Sequence, residues 1–166
     1  MEIWDAYLSD GTLAHRDLAR GEPVPPGLYH LVCEALVRHA DGDFLLMRRD
    51  LAKPLYPGRY EASAGGAALK GEDALDCIRR EVFEETGIRD GQFELVGRSV
   101  RGNTFYASFV CFTACGKRSI TLQKGETIAY KWVSEAEFAA FIRSPEAIDT
   151  QVARYAHYFK KLFRDV

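Results

Sequence analysis

The stretch from Gly66 to Ile88 constrains the fold of this chain more than any other feature. It reads GAALKGEDALDCIRREVFEETGI. From Glu72 to Thr86 it has no Gly or Pro and is rich in Ala, Leu, Glu and Arg, so we predict a helix of about four turns. Gly87 follows where that helix should end, because the left-handed C′ position favours Gly, and Ile88 can then fold back on the last turn.

The predicted helix has an apolar face and an acidic face. The apolar residues recur at intervals of three and four, which is typical of a helix packed on a sheet: Leu75, Ile78 and Val82. The acidic face holds three carboxylates: Glu81, Glu84 and Glu85. Like charges at this spacing repel each other, so we expect a cation between them. Ligands that are all oxygen favour a hard divalent ion, Mg²⁺ first and Mn²⁺ second.

Residues next to the carboxylates have predicted supporting roles. Gly65 and Gly66 let the backbone pass close to a ligand, so Gly65 is a candidate for substrate binding and the Gly66 carbonyl a candidate metal ligand. Arg80 lies four residues before Glu84, a spacing suited to an ion pair. We therefore interpret Arg80 as a residue that holds this carboxylate in position.

The same stretch fits the pattern G-x5-E-x7-R-E-U-x-E-E-x-G-U, where U is aliphatic, at every fixed position. This pattern is the Nudix box, and the chain therefore resembles the Nudix hydrolases. The resemblance implies Mg²⁺-dependent cleavage of the diphosphate bond in a nucleoside diphosphate or its derivative. It implies that Glu81, Glu84 and Glu85 hold the metal and that Glu84 or Glu81 activates water. It also implies the Nudix fold, an α/β/α sandwich with a mixed β-sheet.

The sequence ahead of the box has a finer resemblance. WDAYLSDGTLAHRDLARGEPVPPGLYHLV, followed by LLMRRD and PGRYEASAGG, is similar to the Nudix branch related to isopentenyl-diphosphate isomerase, which begins with an extra N-terminal β-hairpin. The true isomerases carry a catalytic Cys just ahead of the box, where this chain has Ala62, Ser63 and Ala64. Isomerase activity is therefore an alternative that the missing Cys opposes. A non-catalytic nucleotide-sensing module is another alternative, opposed by the three retained glutamates.

Turn signals and periodicity divide the chain into two parts. We assign residues 1–28 to an N-terminal hairpin arm with a Pro-rich connector, and residues 29–166 to a Nudix domain with its box at 66–88. The predicted strands are Ile3–Leu8, Thr12–Asp17, Tyr29–His39, Phe44–Arg49, Phe93–Arg101, Thr104–Cys115 and Ile128–Val133. A capping box at Ser134 predicts a short helix to about Arg143. A last helix is predicted to start at Ser144-Pro145 and to cover the sheet face opposite the box helix.

Four further residues are candidates for contact with the substrate or the metal. Arg48 and Arg49 end a strand ahead of the glycines, and since neighbours on a strand face opposite ways, one of them is predicted to reach a phosphate. Tyr60 offers a stacking surface for a base. Glu126 lies in a loop where many Nudix enzymes place an acidic residue, so the resemblance makes it a further catalytic carboxylate.

Length and charge exclude several classes of protein. The chain has 166 residues, 47% of them apolar, which is enough for one domain. A net charge of −2 argues against nucleic acid or an anionic membrane as partner, so we expect a small diphosphate substrate. Short apolar runs and the absence of a signal-peptide pattern predict a cytoplasmic protein with free thiols at all four cysteines. The N-terminal hairpin is a possible homodimer contact.

Overall fold

The fold is built on a mixed seven-stranded sheet with a separate N-terminal hairpin, and the computed structural model describes residues 1–163. The strands are β1 (Ile3–Tyr7), β2 (Leu13–Ala19), β3 (His30–His39), β4 (Phe44–Arg49), β5 (Tyr60–Ala62), β6 (Ala64–Ala67), β7 (Gln92–Arg101), β8 (Thr104–Thr113) and β9 (Thr127–Val133). The helices are α1 (Ala74–Thr86), α2 (Glu135–Ile142), α3 (Asp149–Arg154) and α4 (Ala156–Leu162). Each strand predicted from the sequence is present within two residues of its expected bounds, whereas β5 and β6 have no counterpart among the predicted strands.

Strand β3 is the centre of the sheet. It pairs in parallel with β8 over its whole length, from His30 opposite Thr104 to His39 opposite Thr113. Its other edge pairs antiparallel with β6 and, at its far end, with β4. Strand β7 extends the sheet beyond β8, and β4 also pairs with β5 and β9. The predicted mixed sheet is thus confirmed.

Helices cover both faces of this sheet. Successive buried residues of β3 point to opposite faces and so belong to two separate cores, each covered by helices. One core lies under α1 and contains Cys33, Ala35 and Val37 of β3 with Ile78 and Val82 of α1, all fully buried. The other lies under α2, α3 and α4, and its buried members include Leu36, Phe44, Phe138, Tyr155 and Phe159. The predicted α/β/α sandwich is confirmed.

The ends of α1 follow the sequence signals. Asp73 is the N-cap, and its side chain accepts a hydrogen bond from the Asp76 amide at 2.8 Å. Gly87 has a φ of 77° and donates its backbone N–H to the Phe83 carbonyl at 2.8 Å. Ile88 is buried against the core under α1. The helix begins two residues later than predicted and ends at the predicted residue.

The predicted start of the last helix at Ser144-Pro145 is wrong. These residues form a turn, and α3 begins only at Asp149. The Arg59 guanidinium takes up the carbonyls of Pro145 and Ala147, at 3.1 and 3.3 Å, which would otherwise accept helical hydrogen bonds. A break at Tyr155 then separates α3 from α4. The apolar side chains still cover the predicted face, and the last three residues of the proposed 29–166 domain lie outside the described range.

The hairpin of β1 and β2 is attached both to the residue before β3 and to the loop that precedes α1. Tyr7 and Tyr29 exchange two backbone hydrogen bonds of 2.9 Å. The Lys70 amide donates to the Ile3 carbonyl at 2.8 Å, and the Gly71 amide donates to the Asp5 carboxylate at 2.7 Å. The hairpin therefore has a defined position beside the box in its own chain.

Candidate active site

A cavity of about 390 Å³ opens beside the acidic face of α1. Glu81, Glu84 and Glu85 line it, and Gly65 and Gly66 of β6 form the adjoining wall. The Glu81 side chain is 12% exposed and that of Glu84 is 39% exposed. The structure thus brings together the three carboxylates and the two glycines singled out in the sequence, with Glu84 more accessible to water than Glu81.

Arg80 connects these carboxylates. Its Nη1 lies 2.6 Å from Glu81 Oε1 and 3.3 Å from Glu84 Oε2, so the predicted pair with Glu84 is present. Its Nε and Nη2 bind the two oxygens of Glu72 at 2.6 and 2.8 Å, and Nη2 also donates to the Ala67 carbonyl. Glu72 and then Glu81 raise the pKa of Arg80 further above its usual range, so its charge is permanent.

Two buried carboxylates of the site, Glu85 and Glu81, have raised pKa values. Burial, and then the charges of Glu81, Glu61 and Glu126, raise the pKa of Glu85 well above its ordinary value. Burial also raises the pKa of Glu81, although Arg80 opposes the shift. Such a cluster favours a bound cation, because a positive charge would stabilise the ionised carboxylates.

Glu61 is a member of this cluster that sequence reasoning missed. It lies on β5, its side chain is 18% exposed, and Arg49 Nη1 contacts both of its oxygens at 2.8 and 2.9 Å. Burial raises its pKa despite Arg49. Glu61 is the one charged residue between positions 60 and 67, and this is the signal that could have found it.

The residues present fit a divalent cation. A Cβ at Gly66 would lie 2.4 Å from Glu81 Oε1, so glycine leaves the room that this carboxylate needs. Within residues 1–163, no three His, Cys, Asp or Glu side chains already stand in a metal-holding arrangement, and Arg80 engages two of the carboxylates concerned. The Gly66 carbonyl accepts a hydrogen bond from Cys77 Sγ at 3.6 Å, and its role as a ligand stays a prediction. All four cysteines are free thiols, as predicted.

The two arginines at the end of β4 point in different directions. Arg49 lines the cavity and donates from Nε to the Leu55 carbonyl at 2.9 Å. Arg48 is exposed and donates from Nε to the Gly58 carbonyl at 3.0 Å. Tyr60 packs with the core under α2 to α4, and the Lys131 ammonium lies 4.3 Å from its ring centre. Of Arg48, Arg49 and Tyr60, it is therefore Arg49 that the structure brings to the carboxylates.

Glu126 lines the same cavity from the loop before β9. Its carboxylate forms an ion pair with Lys53, which lies in the loop after β4. The Asp50 amide donates to the Glu126 carbonyl at 2.9 Å, so two contacts join these loops. The structure thus brings the fourth candidate carboxylate to the other three.

A smaller cavity of about 140 Å³ adjoins the first and holds a second feature that the sequence did not indicate. Arg154 Nε and Nη2 bind the two oxygens of Glu34 at 2.6 and 2.7 Å, and Ser108 donates to Glu34 at 2.7 Å. The Arg154 guanidinium also stacks over Tyr106 at 4.4 Å. The pair spans 120 residues of sequence, which is why no local pattern predicts it.

The NUDIX domain family matches residues 28–155, so the chain belongs to the Nudix family. It is a Nudix hydrolase, an enzyme that acts on phosphorus-containing anhydrides. An uncharacterized Nudix hydrolase of Listeria monocytogenes, lmo0368, is 33% identical over 153 residues, 89% of each chain. Another from Pseudomonas aeruginosa, PA4841, is 33% identical over 124 residues, 73% of this chain and 69% of that one.

Solved structures share the fold. DR0079 from Deinococcus radiodurans has a TM-score of 0.75 at 19% identity and covers 95% of this chain and 99% of its own. The NUDIX domain of Shewanella oneidensis NrtR, solved with ADP ribose, has a TM-score of 0.62 at 16% identity and covers 81% of this chain and 88% of its own. Among residues 1–163, none of the helices combines the length and the apolar composition that crossing a bilayer requires.

Proposed function

We propose that this Nudix hydrolase is an Mg²⁺-dependent enzyme that cleaves the diphosphate bond of a nucleoside diphosphate or one of its derivatives. The observation that carries the proposal is the convergence of Glu81, Glu84 and Glu85 in one cavity, next to a backbone that only glycine allows to come so close. Arg49 in the same cavity supplies a planar cation suited to phosphate oxygens.

Glu81, Glu84 and Glu85 would hold the metal, with Mg²⁺ preferred over Mn²⁺ for an all-oxygen ligand set. When bound, the ion neutralises charge on the diphosphate and lowers the pKa of bound water. Gly66 contributes by leaving the Glu81 carboxylate in place, and its carbonyl is a further candidate ligand. Gly65 also lines the cavity, and it is proposed to contact the substrate through its backbone.

The proton acceptor is proposed to be Glu84, because its side chain is more exposed than that of Glu81 and water can reach it. Arg80 positions both carboxylates through one nitrogen atom. Glu126, held by Lys53, is the alternative acceptor. Arg49 is assigned to a substrate phosphate in preference to Arg48, because Arg49 lines the cavity and Arg48 does not.

The size of the cavity supports a small substrate. About 390 Å³ falls within the range of small-molecule sites. The complex of a similar Nudix fold with ADP ribose makes that nucleotide sugar a reasonable first member of a substrate panel. The proposal names a class of substrates rather than one compound, because specificity depends on side chains outside the box.

The experiment measures phosphate and nucleotide release from nucleoside diphosphates, ADP-ribose, dinucleotides and isopentenyl diphosphate, with Mg²⁺ and with chelator. We expect metal-dependent cleavage that falls at least about 100-fold in Glu84→Gln, the usual contribution of a catalytic acid or base. The matched control is Glu94→Gln, a substitution at an exposed position on β7. A dimethylallyl product would instead indicate the isomerase, and tight binding without cleavage would indicate the sensing module.

A further inference from the structure

The N-terminal hairpin forms part of the wall of the cavity. Glu2 and Trp4 line it from the side of β1, and Arg20, just after β2, lines it beside them. The contacts of Ile3 and Asp5 with the loop at residues 70–71 fix the hairpin there. The Trp4 ring stacks on His30 with ring centres 4.7 Å apart, which attaches this wall to β3. The hairpin thus places a cationic and an aromatic side chain in the cavity that holds the box carboxylates.

The cationic side chains of the cavity differ in how firmly they are held. In the described part of the chain four of them line it: Arg20, Arg49, Lys53 and Arg80. Arg49 pairs with Glu61 at side-chain exposures of 16% and 18%, and Lys53 and Arg80 are also partly buried in their pairs. The pair of Arg20 with Glu2 has exposures of 60% and 43%. Water screens such a pair, so breaking it costs little, and Arg20 is the cation freest to change partner.

We propose that Arg20 is a substrate-binding residue that exchanges Glu2 for a phosphate oxygen of the bound diphosphate. This inference rests on the proposed function for the identity of the ligand. A guanidinium suits this role because it offers several N–H donors in a fixed plane to phosphate oxygens. Glu2 acts in the opposite sense, since its carboxylate competes with the substrate for Arg20 and repels the substrate's negative charge. The hairpin is then part of the substrate site.

Variants of the two residues of this ion pair test the proposal by the direction in which each one changes substrate binding. If the pair served only to hold the hairpin together, Arg20→Ala and Glu2→Gln would weaken substrate binding in the same direction. If Arg20 binds phosphate, Arg20→Ala weakens binding and Glu2→Gln strengthens it. Arg16→Ala is the matched control, because Arg16 is an exposed arginine on β2, four residues earlier.

The experiment measures kcat and KM with the substrates that the wild type cleaves, and the Kd of ADP and ADP-ribose by calorimetry with Mg²⁺ in the Glu84→Gln background. For Arg20→Ala we expect KM and Kd to rise roughly tenfold, the size of one charge-assisted hydrogen bond at a partly exposed site, with kcat within about twofold. For Glu2→Gln we expect both to fall, and for Arg16→Ala we expect no change.

The assignment is overturned if Arg20→Ala binds as tightly as the wild type, or if Arg20→Ala and Arg16→Ala lose the same affinity. It is also overturned if Kd shifts in the same direction in Arg20→Ala and Glu2→Gln, or if the protein binds neither nucleotide. The proposed function fails separately. If the wild type binds these nucleotides without cleaving anything, the hydrolase proposal is lost, while opposite Kd shifts for Arg20→Ala and Glu2→Gln still support Arg20 as the phosphate contact.

Discussion

Two neighbouring glycines of β6 should respond differently to the addition of one methyl group: at Gly66 the change should lower activity, and at Gly65 it should lower stability. A Cβ at Gly66 would meet the Glu81 carboxylate, with Oε1 at 2.4 Å, Cδ at 2.5 Å and Oε2 at 2.7 Å. Ordinary contacts begin at 3.4 Å, so the carboxylate must move by about 1 Å. Because this group ends a flexible side chain, it can move without displacing the backbone.

A Cβ at Gly65 meets backbone instead. It would lie 2.7 Å from the Cys33 carbonyl oxygen and 3.0 Å from Glu34 Cα, both on the paired strand β3. Relief requires the two strands to separate, and overpacking of this kind costs about 1–3 kcal/mol. In a protein of this size that lowers the Tm by about 2–4 °C for each kcal/mol.

We therefore expect Gly66→Ala to keep its stability within about 1 kcal/mol of wild type and to lose about 100-fold in kcat/KM, the effect of a 1 Å misplacement in a site. Gly65→Ala should lose stability. The assays are thermal and urea unfolding, Mn²⁺ affinity by calorimetry, and turnover. In a Glu81→Ala background the clash of Gly66→Ala is absent, so Mn²⁺ affinity should fall no further. Unfolding of Gly66→Ala at the temperature of Gly65→Ala, or unchanged metal affinity and turnover, would refute this reasoning.

Two further predictions concern stability. Arg154→Met leaves the buried Glu34 carboxylate without its bidentate partner and should lower the free energy of unfolding by about 3 kcal/mol in urea, whereas the exposed control Lys160→Met should change it little. In chelator, the free energy of unfolding should fall as the pH rises above the usual Glu value of 4.5, because burial raises the pKa of Glu85, Glu81 and Glu61 and the folded state then binds more protons than the unfolded state. Glu85→Gln should flatten this slope in urea titrations at a series of pH values, and a stability that rises with pH over this range would contradict the assignment.

Local signals in the sequence were sufficient to predict the box helix and most strands. The end of α1 at Gly87 and the capping box at Ser134 depend on residues within one turn, and the structure has both. The apolar periodicity of α1 and of the last two helices also predicts that these helices cover opposite faces of the sheet. The family pattern and the spacing on α1 indicated the carboxylates in the same way.

Contacts between distant segments were beyond such signals. The start of α3 depends on Arg59, which takes up carbonyls more than 80 residues away. Glu61 enters the site because β5 pairs with β4, and the bond between Glu34 and Arg154 joins β3 to the end of α3. The sequence also does not show which of Arg48 and Arg49 faces the cavity, because this depends on how β4 lies in the sheet. Contacts between segments far apart in the sequence decide each of these features, and a single sequence does not show such contacts.

The parallel ladder of β3 and β8 sets the order of events as the chain leaves the ribosome. Paired residues such as Glu34 and Ser108 are 74 positions apart. At translation rates of about 5–20 residues per second, a residue of β8 is synthesised roughly 4–15 s after its partner in β3. During that interval the edge that β8 will cover is open to other strands. Chaperone binding is therefore expected to be most useful until β8 has left the ribosome.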